Sequence, residues 1–312
     1  MLEALGELRT EMKAVVAARI IDGVAVARSM RAQCRSRVEL LKARSGLVPG
    51  LAVILVGENP ASLLYVRNKL RACDEVGIRS YRFDFPASVD QSVVMERIGL
   101  LNQDRDVHGI LVQLPLPASF DLMQILHAIS MDKDVDGFHL YNVGGLVLGD
   151  TVFPPCTPYG VVKLLEHEKI ALEGKNVVVV GASNIVGKPM ALMLMQRDAT
   201  VCICHAKTRD LAQFTLLADV LVVAAGHPGL IVPQMVRTGA VVIDVGINRL
   251  PNGKLVGDVD FEGVREKASY ITPVPGGVGP MTVTMLMVNT ITSAERAAHR
   301  LAAPAAAGDR CS

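Results

Sequence analysis

Residues 177–189, VVVVGASNIVGKP, constrain the fold more than any other stretch of this chain. The four valines Val177 to Val180 predict a buried strand, because β-branched side chains on both faces of a pleat need cover on both faces. Gly181, Ser183 and Gly187 then form a turn with little side-chain bulk. Lys188-Pro189-Met190-Ala191 opens an apolar helical run. A strand, a small-residue turn and a helix start together make a site for anions: the first helical N–H groups point outward, and the helix dipole favours negative charge there. In an open α/β sheet the natural occupant is a dinucleotide pyrophosphate. The spacing departs from the usual glycine fingerprint. Ser183 stands at the middle glycine, and the last glycine comes one residue late, so the turn alone also suits an ordinary strand–helix connection.

The rest of the chain repeats the alternation. Its 312 residues, half of them hydrophobic and 20% charged, allow one or two domains with sizeable cores. Val26, Met30, Cys34 and Val38 recur at helical spacing and predict a helix over 24–44, closed by Gly46 and Pro49-Gly50. Residues 51–56 read as an apolar strand. Asn59 is placed to cap the next helix, 61–76, with Pro60 at its first position and Gly77 at its end. Strands over 79–85 and 109–114 and helices over 92–101 and 120–129 follow, and then a charged loop, 132–139. The prolines of 154–158 mark a crossing into a second lobe. There a helix over 161–168 precedes strands over 177–180, 200–204, 220–224 and 241–245, the βαβ pattern of a parallel sheet. A strand over 271–274, a proline–glycine run over 273–280 and a helix over 281–298 complete the order.

The expected fold is therefore α/β with two lobes. Residues 20–157 form an N-terminal α/β lobe, and 158–280 a Rossmann-type lobe with a parallel sheet. The helix 281–298 has no place in the second sheet and is expected to return to the first lobe. Residues 1–19 read as an extension, an amphipathic helix or a tail, and 299–312 as a disordered tail. The net charge of +1 gives no electrostatic case for nucleic acid or a membrane surface, and 4% aromatics without tryptophan argues against a base-stacking surface. Six cysteines without a CxxC or zinc spacing read as buried free thiols, which suits a reducing cytoplasm, and no metal site is expected. No secretory signal and no apolar run of membrane-spanning length is read.

Some residues stand out chemically. Tyr65 and Lys69 lie four apart on one predicted helix and share a face. An arbitrary pair of this kind is usually a solvated lysine beside a half-buried tyrosine. Here Ser62 and Cys73 extend the stripe, so Lys69 sits on an otherwise small or apolar face. The helix also follows the C-terminal end of a buried strand, where α/β sites are built. Burial destabilises an ammonium and lowers its pKa, giving an acid–base group near neutral pH. Gln113, ending another apolar strand, would reach the same rim; it also suits a turn. Asp136, in Asp134-Val135-Asp136-Gly137, could accept paired hydrogen bonds from a donor-rich heterocycle, with Asp134 the turn residue of the two. In the second lobe the place about twenty residues past the glycine turn, which in NAD sites holds an acid, carries Lys207 with His205 beside it. A cation there suits a 2′-phosphate and favours NADP. Pro273–Pro280, stiffened by proline and opened by glycine between apolar elements, reads as a site wall rather than a linker.

These segments in this order resemble the bifunctional methylenetetrahydrofolate dehydrogenase/cyclohydrolase family of bacterial type. The resemblance covers about 20–296. It is carried by Tyr65-Val66-Arg67-Asn68-Lys69, by 109–117 (GILVQLPLP), by Lys133-Asp134-Val135-Asp136-Gly137-Phe138, by 181–189, by Asp244-Val245-Gly246-Ile247-Asn248 and by 273–280. It implies NADP-dependent oxidation of 5,10-methylenetetrahydrofolate to the methenyl form and hydrolysis of that to 10-formyltetrahydrofolate. It further implies tetrahydrofolate derivatives as ligands, a homodimer through the cofactor lobes and an active site in a cleft between lobes. Lys69 matches the essential lysine, Tyr65 the aromatic against the folate, Gln113 the residue that tunes the lysine and Asp136 the carboxylate holding the pterin. Pro273, Gly276 and Gly277 match the folate-side wall. Gly181, Ala182, Ser183 and Ile247 match cofactor contacts, beside Gly187, His205 and Lys207. Two departures stand out. Ala182 occupies a place where many relatives carry arginine, and His205-Ala206-Lys207-Thr208 replaces a Ser-Arg-Thr ending, which keeps a charge but loses the planar fork.

Three rivals share some of these features. A short-chain-type alcohol dehydrogenase also uses a Tyr/Lys pair, but there the glycine turn precedes the pair, whereas here Tyr65 comes first by a whole lobe. A ligand-binding regulator would be expected to have lost Lys69 or Gln113. A dehydrogenase without the hydrolase half would carry the same residues, since one lysine serves both steps.

Overall fold

The computed structural model describes residues 17–302. The expectations for residues 1–16 and 303–312, helix or tail at one end and disorder at the other, lie outside the described residues. The described chain divides into two compact units, 24–160 with 280–302 and 17–23 with 161–279.

The first unit is built on a three-stranded parallel sheet in the order Arg79–Phe85, Gly50–Val56, Gly109–Val112. Every residue of the central strand is buried, as a strand flanked on both edges and covered on both faces requires. Val94, Ile98, Leu101, Ile125 and Ile129, from the Gln91–Gln103 and Leu122–Ala128 helices and the residue after the latter, pack over Ala52, Ile54 and Val56. The Pro60–Val76 helix starts as its sequence dictates. Asn59 Oδ1 accepts the N–H groups of Ala61 (2.9 Å) and Ser62 (3.2 Å), Pro60 occupies the first turn, and Gly77 ends the helix at φ 85°. The Leu140–Leu148 helix was not expected from the sequence. Its Gly144-Gly145 pair interrupts the helical pattern, and Leu140, Val147 and Leu148 remain exposed.

The helix Val278–Ala302 is longer than the expected 281–298, and from Pro280 onward it belongs to this first unit. Met281, Met285, Leu286, Met287, Ile291 and Ala294 are buried. Glu295 pairs with Arg37 at 2.7 Å, Ser293 donates to the Asp132 carbonyl at 2.8 Å, and the Met287 sulfur lies 3.6 Å from that of Cys73. Buried Asn289 donates through Nδ2 to the carbonyls of Val135 (2.8 Å) and Pro154 (2.9 Å). An amide in an apolar helix face costs free energy unless such partners are met.

The second unit is a six-stranded parallel sheet in the order Arg19–Ile20, Tyr270–Ile271, Val241–Asp244, Val220–Val223, Asn176–Val180, Thr200–Cys204. The chain steps from 176–180 to one side and then returns to the other, so the strand order reverses at 176–180. Crevices for ligands open at such reversals, beyond the strand ends. The boundaries expected at 20, 157 and 280 shift. Ile20 pairs with Ile271, and Ile21 donates to the Ile271 carbonyl at 2.9 Å, so the chain reaches Gly23 before leaving this sheet. The second crossing falls after Gly160, inside the Cys156–His167 helix, where Pro158 sits in the first turn and needs no intrahelical bond. Cys34, Cys73, Cys156 and Cys204 are buried free thiols and Cys202 is half-buried. Among the described residues no helix is long and apolar enough to cross a membrane, and no cluster of His, Cys, Asp and Glu suits a metal ion.

Replacing Asn289 by alanine strands the Pro154 carbonyl and leaves the Val135 carbonyl with the Cys156 thiol alone. Urea unfolding followed by circular dichroism is expected to show a loss of about 3 kcal/mol. A loss below about 0.5 kcal/mol would mean that apolar packing alone holds the final helix.

Candidate active site

Lys69 lies on the buried stripe of the Pro60–Val76 helix, with Ser62, Val66, Cys73 and Val76 at the same helical spacing. Only 9% of the residue is exposed. Its Nζ donates to Gln113 Oε1 at 2.9 Å. Gln113 follows the Gly109–Val112 strand and extends its ladder, donating its backbone N–H to the Ile54 carbonyl at 2.9 Å. Its Nε2 donates to the Leu114 carbonyl at 2.6 Å, and this bond leaves the amide oxygen as the group that faces the lysine. A neutral acceptor holds the nitrogen in place without committing it to the charged state. Burial pushes the Lys69 pKa down, and the nearby Asp136 carboxylate works against that shift. Burial likewise pushes Asp136 up, opposed first by Lys69.

Asp136 is held from both sides. The Val135 carbonyl before it accepts from Asn289 and from the Cys156 thiol (3.3 Å). Gly137 after it has φ 80°, and a Cβ there would overlap the Phe153 carbonyl, so only glycine fits. Burial, with the Asp136 carboxylate nearby, holds the Cys156 thiol well above the ordinary cysteine range. Asp134 organises the turn as read from the sequence. It does so from a buried position rather than at the surface, accepting from the backbone of Phe138 (3.2 Å) and His139 (2.8 Å) and from Asn142 Nδ2 (2.8 Å). Tyr65 sits one turn before Lys69, half-buried, and burial raises its pKa.

The glycine turn of the second unit lies at the strand reversal. Gly181 has φ 126° and donates to the Cys204 carbonyl at 2.8 Å, and a Cβ on it would overlap the Ala224 carbonyl. Gly187 opens the Gly187–Met195 helix, and a Cβ there would overlap the Gly181 carbonyl. Ser183, at the place of the middle glycine, supplies a cap: its Oγ accepts from Val186 (3.1 Å) and Gly187 (3.4 Å). The two close approaches require glycine so that the turn can pack against its own backbone and the 224 segment, and a strand–turn–helix start of this kind is where a pyrophosphate fits in an open α/β sheet. Ala182 is half-buried. His205 and Lys207 are exposed on the turn after Thr200–Cys204, which His205 braces by accepting the Lys207 N–H on Nδ1 at 3.1 Å. Ile247 is 42% exposed, beyond the end of Val241–Asp244. Pro273, Gly276 and Gly277 belong to this unit. The Pro273 carbonyl accepts the Gly277 N–H at 2.9 Å, and a Cβ on Gly23 would overlap the Gly277 carbonyl.

The structure thus brings Lys69, Gln113 and Asp136 together in one unit and gathers the glycine turn with the 205–208 loop in the other. Sequence reasoning missed Asn289 and the placement of Cys156, which support Asp136 across long sequence separations. It also missed Asp258, fully buried, whose only signal is a carboxylate in an otherwise apolar and glycine-rich stretch.

Residues 21–136 match the model of the tetrahydrofolate dehydrogenase/cyclohydrolase catalytic domain, and residues 155–298 match that family's NAD(P)-binding domain. A bifunctional protein FolD of Nitrosospira multiformis is 59% identical over 286 residues, covering 92% of this chain and 99% of the relative. The FolD of Bordetella bronchiseptica is 57% identical, with 90% and 99% covered. Among solved structures, the bifunctional FolD methylenetetrahydrofolate dehydrogenase/cyclohydrolase of Campylobacter jejuni superposes with a TM-score of 0.88 at 52% identity, covering 90% of this chain and 99% of that one. The Trypanosoma brucei FolD, solved with NADP cofactor and inhibitor, gives 0.87 at 40% identity, with 90% and 98% covered.

Proposed function

The chain belongs to the tetrahydrofolate dehydrogenase/cyclohydrolase family, and from that premise we propose how its residues divide the work. The enzyme oxidises 5,10-methylenetetrahydrofolate to 5,10-methenyltetrahydrofolate and hydrolyses that cation to 10-formyltetrahydrofolate. The observation that carries the assignment of roles is the buried Lys69 nitrogen held by a neutral amide oxygen at 2.9 Å.

In the hydrolytic half, water adds to the bridging carbon of the methenyl cation. That carbon is already electrophilic, so one base and an oriented water suffice. Lys69, its ammonium disfavoured by burial, takes the proton from the water as the carbon–oxygen bond forms. The resulting hydroxyl then gives up its proton as the carbon–oxygen double bond forms and the bond from that carbon to N5 breaks; of the two water protons one ends on N5 and the other is released to solvent, and the formyl group stays on N10. Gln113 keeps the Lys69 nitrogen aimed in both protonation states. Asp136 accepts hydrogen bonds from the donor edge of the pterin, and Tyr65 lies against the folate. Pro273, Gly276 and Gly277 line the folate side.

In the oxidative half, NADP⁺ would supply, when bound, the acceptor for the hydride of the methylene carbon. Gly181, Ala182, Ser183 and Gly187 cradle the pyrophosphate, Ile247 contacts the cofactor, and His205 with Lys207 face the 2′-phosphate. Lys69 orients the folate for this step. We also assign a homodimer formed through the cofactor unit. The Thr200–Cys204 strand is one edge of the sheet, with Ile203 exposed on it, which supports this pairing. Sedimentation equilibrium separates one chain from two.

Lys69→Met is expected to lower hydrolysis of methenyltetrahydrofolate by about 10²-fold or more, while folate affinity by calorimetry stays nearly constant. Retained hydrolysis would remove Lys69 from its role. Lys207→Ala is expected to raise the KM for NADP⁺ about tenfold, the worth of one charge-assisted hydrogen bond, with little change for NAD⁺. Equal effects on both cofactors would put the 2′-phosphate elsewhere.

A further inference from the structure

Two buried carboxylates sit behind the nucleotide turn, and none of the steps above uses them. Asp244 ends the Val241–Asp244 strand; Asp258 lies in the segment that pairs with Ile231. Asp244 is 3% exposed and Asp258 not at all. Asp244 accepts from the backbone of Gly246 (3.0 Å), Asp258 (3.0 Å) and Val259 (3.0 Å). Asp258 accepts from the backbone of Ala225 (2.7 Å) and Gly226 (2.8 Å) on Oδ2, and from Asn248 Nδ2 (2.8 Å) on Oδ1. Glycines leave room for both: a Cβ on Gly246 would overlap the Asp258 carboxylate, and one on Gly257 the Asp244 carboxylate.

The loops that these carboxylates tie down flank the cofactor cradle. Ala224 donates to the Val180 carbonyl at 2.7 Å, and its own carbonyl closes the space over Gly181, so residues 224–226 form the wall of that turn. Asn248 follows Ile247, which projects from the next strand end. One side chain therefore fixes the rims of two neighbouring strands, at the end of the sheet where nucleotides bind. Backbone N–H groups on a buried carboxylate make strong and directional straps, and a carboxylate lost from such a place leaves the donors unsatisfied.

We propose that Asp258, carried by Asp244, is a positioning residue for NADP⁺: it holds the 224–226 and 247–248 rims in the geometry that the dinucleotide requires. This rests on the assignment of the cofactor to this unit. The enzyme itself supplies the control, because hydrolysis of methenyltetrahydrofolate consumes no nicotinamide cofactor. In Asp258→Ala the calorimetric Kd for NADP⁺ is expected to rise about tenfold or more, with the rate of hydrolysis unchanged. Asp258→Asn is expected to stay near wild type. Its amide oxygen can take both backbone N–H groups, while its NH₂ meets an Asn248 amide turned to present oxygen. Should Asp258→Ala fail to fold, Asn248→Ala cuts only one strap and is expected to weaken NADP⁺ several-fold with hydrolysis intact. An unchanged Kd in Asp258→Ala, or in Asn248→Ala where the first variant does not fold, overturns the proposal, as does hydrolysis falling in step with affinity, which would mark a general structural role. Wild-type protein that binds no NADP⁺ would instead overturn the cofactor assignment on which the proposal stands.

Discussion

Placing a lysine nitrogen out of water is the constraint on which the first unit turns. An ammonium buried without compensation would be expelled or neutralised. Here the compensation is measured out. One amide oxygen accepts a hydrogen bond, and the Asp136 carboxylate lies close enough to be felt through its charge. A directly bonded carboxylate would lock the charge and remove the base. A wholly apolar pocket would leave nothing to aim the nitrogen. Gln113 provides direction, and the Leu114 carbonyl provides the direction of Gln113.

Most of the unit exists to hold that arrangement. Asn59 and Gly77 set the length of the helix that carries Lys69. The fully buried central strand sets the height of Gln113 through the Ile54 carbonyl. The final helix reaches back, through Asn289, to fix the peptide beside Asp136. In the other unit the same logic appears with the charge reversed. Asp244 and Asp258 are buried carboxyl groups held by N–H donors, and burial pushes Asp244 up to about 6 although three backbone donors oppose it. Buried polar groups of this sort specify loop geometry where apolar packing would tolerate slippage.

The sequence revealed what local chemistry controls. The capped helix over 60–76, the parallel strands over 50–56 and 176–204, and the Lys69 stripe all follow from periodicity, caps and β-branching. The return of the last helix followed from its having no slot in the second sheet. Illegible parts depend on long-range partners. Ile20 looked like the start of the first lobe because a two-residue strand carries no pattern, and only pairing with Ile271 assigns it. The Leu140–Leu148 helix hid behind two glycines. Asn289 and Asp258 carry no motif of their own, since their donors and acceptors lie 10 to 154 residues away. Resemblance supplied the roles of Tyr65 and Asp136 that spacing alone left open.

The central claim is that Lys69 is a buried base of lowered pKa. Titration of ¹³Cε-labelled lysines by NMR tests it most directly, with the Lys69 signal assigned by its loss in Lys69→Met. The account predicts a Lys69 resonance that titrates below the ordinary lysine value of about 10.4. A Lys69 signal that titrates with the surface lysines would contradict it.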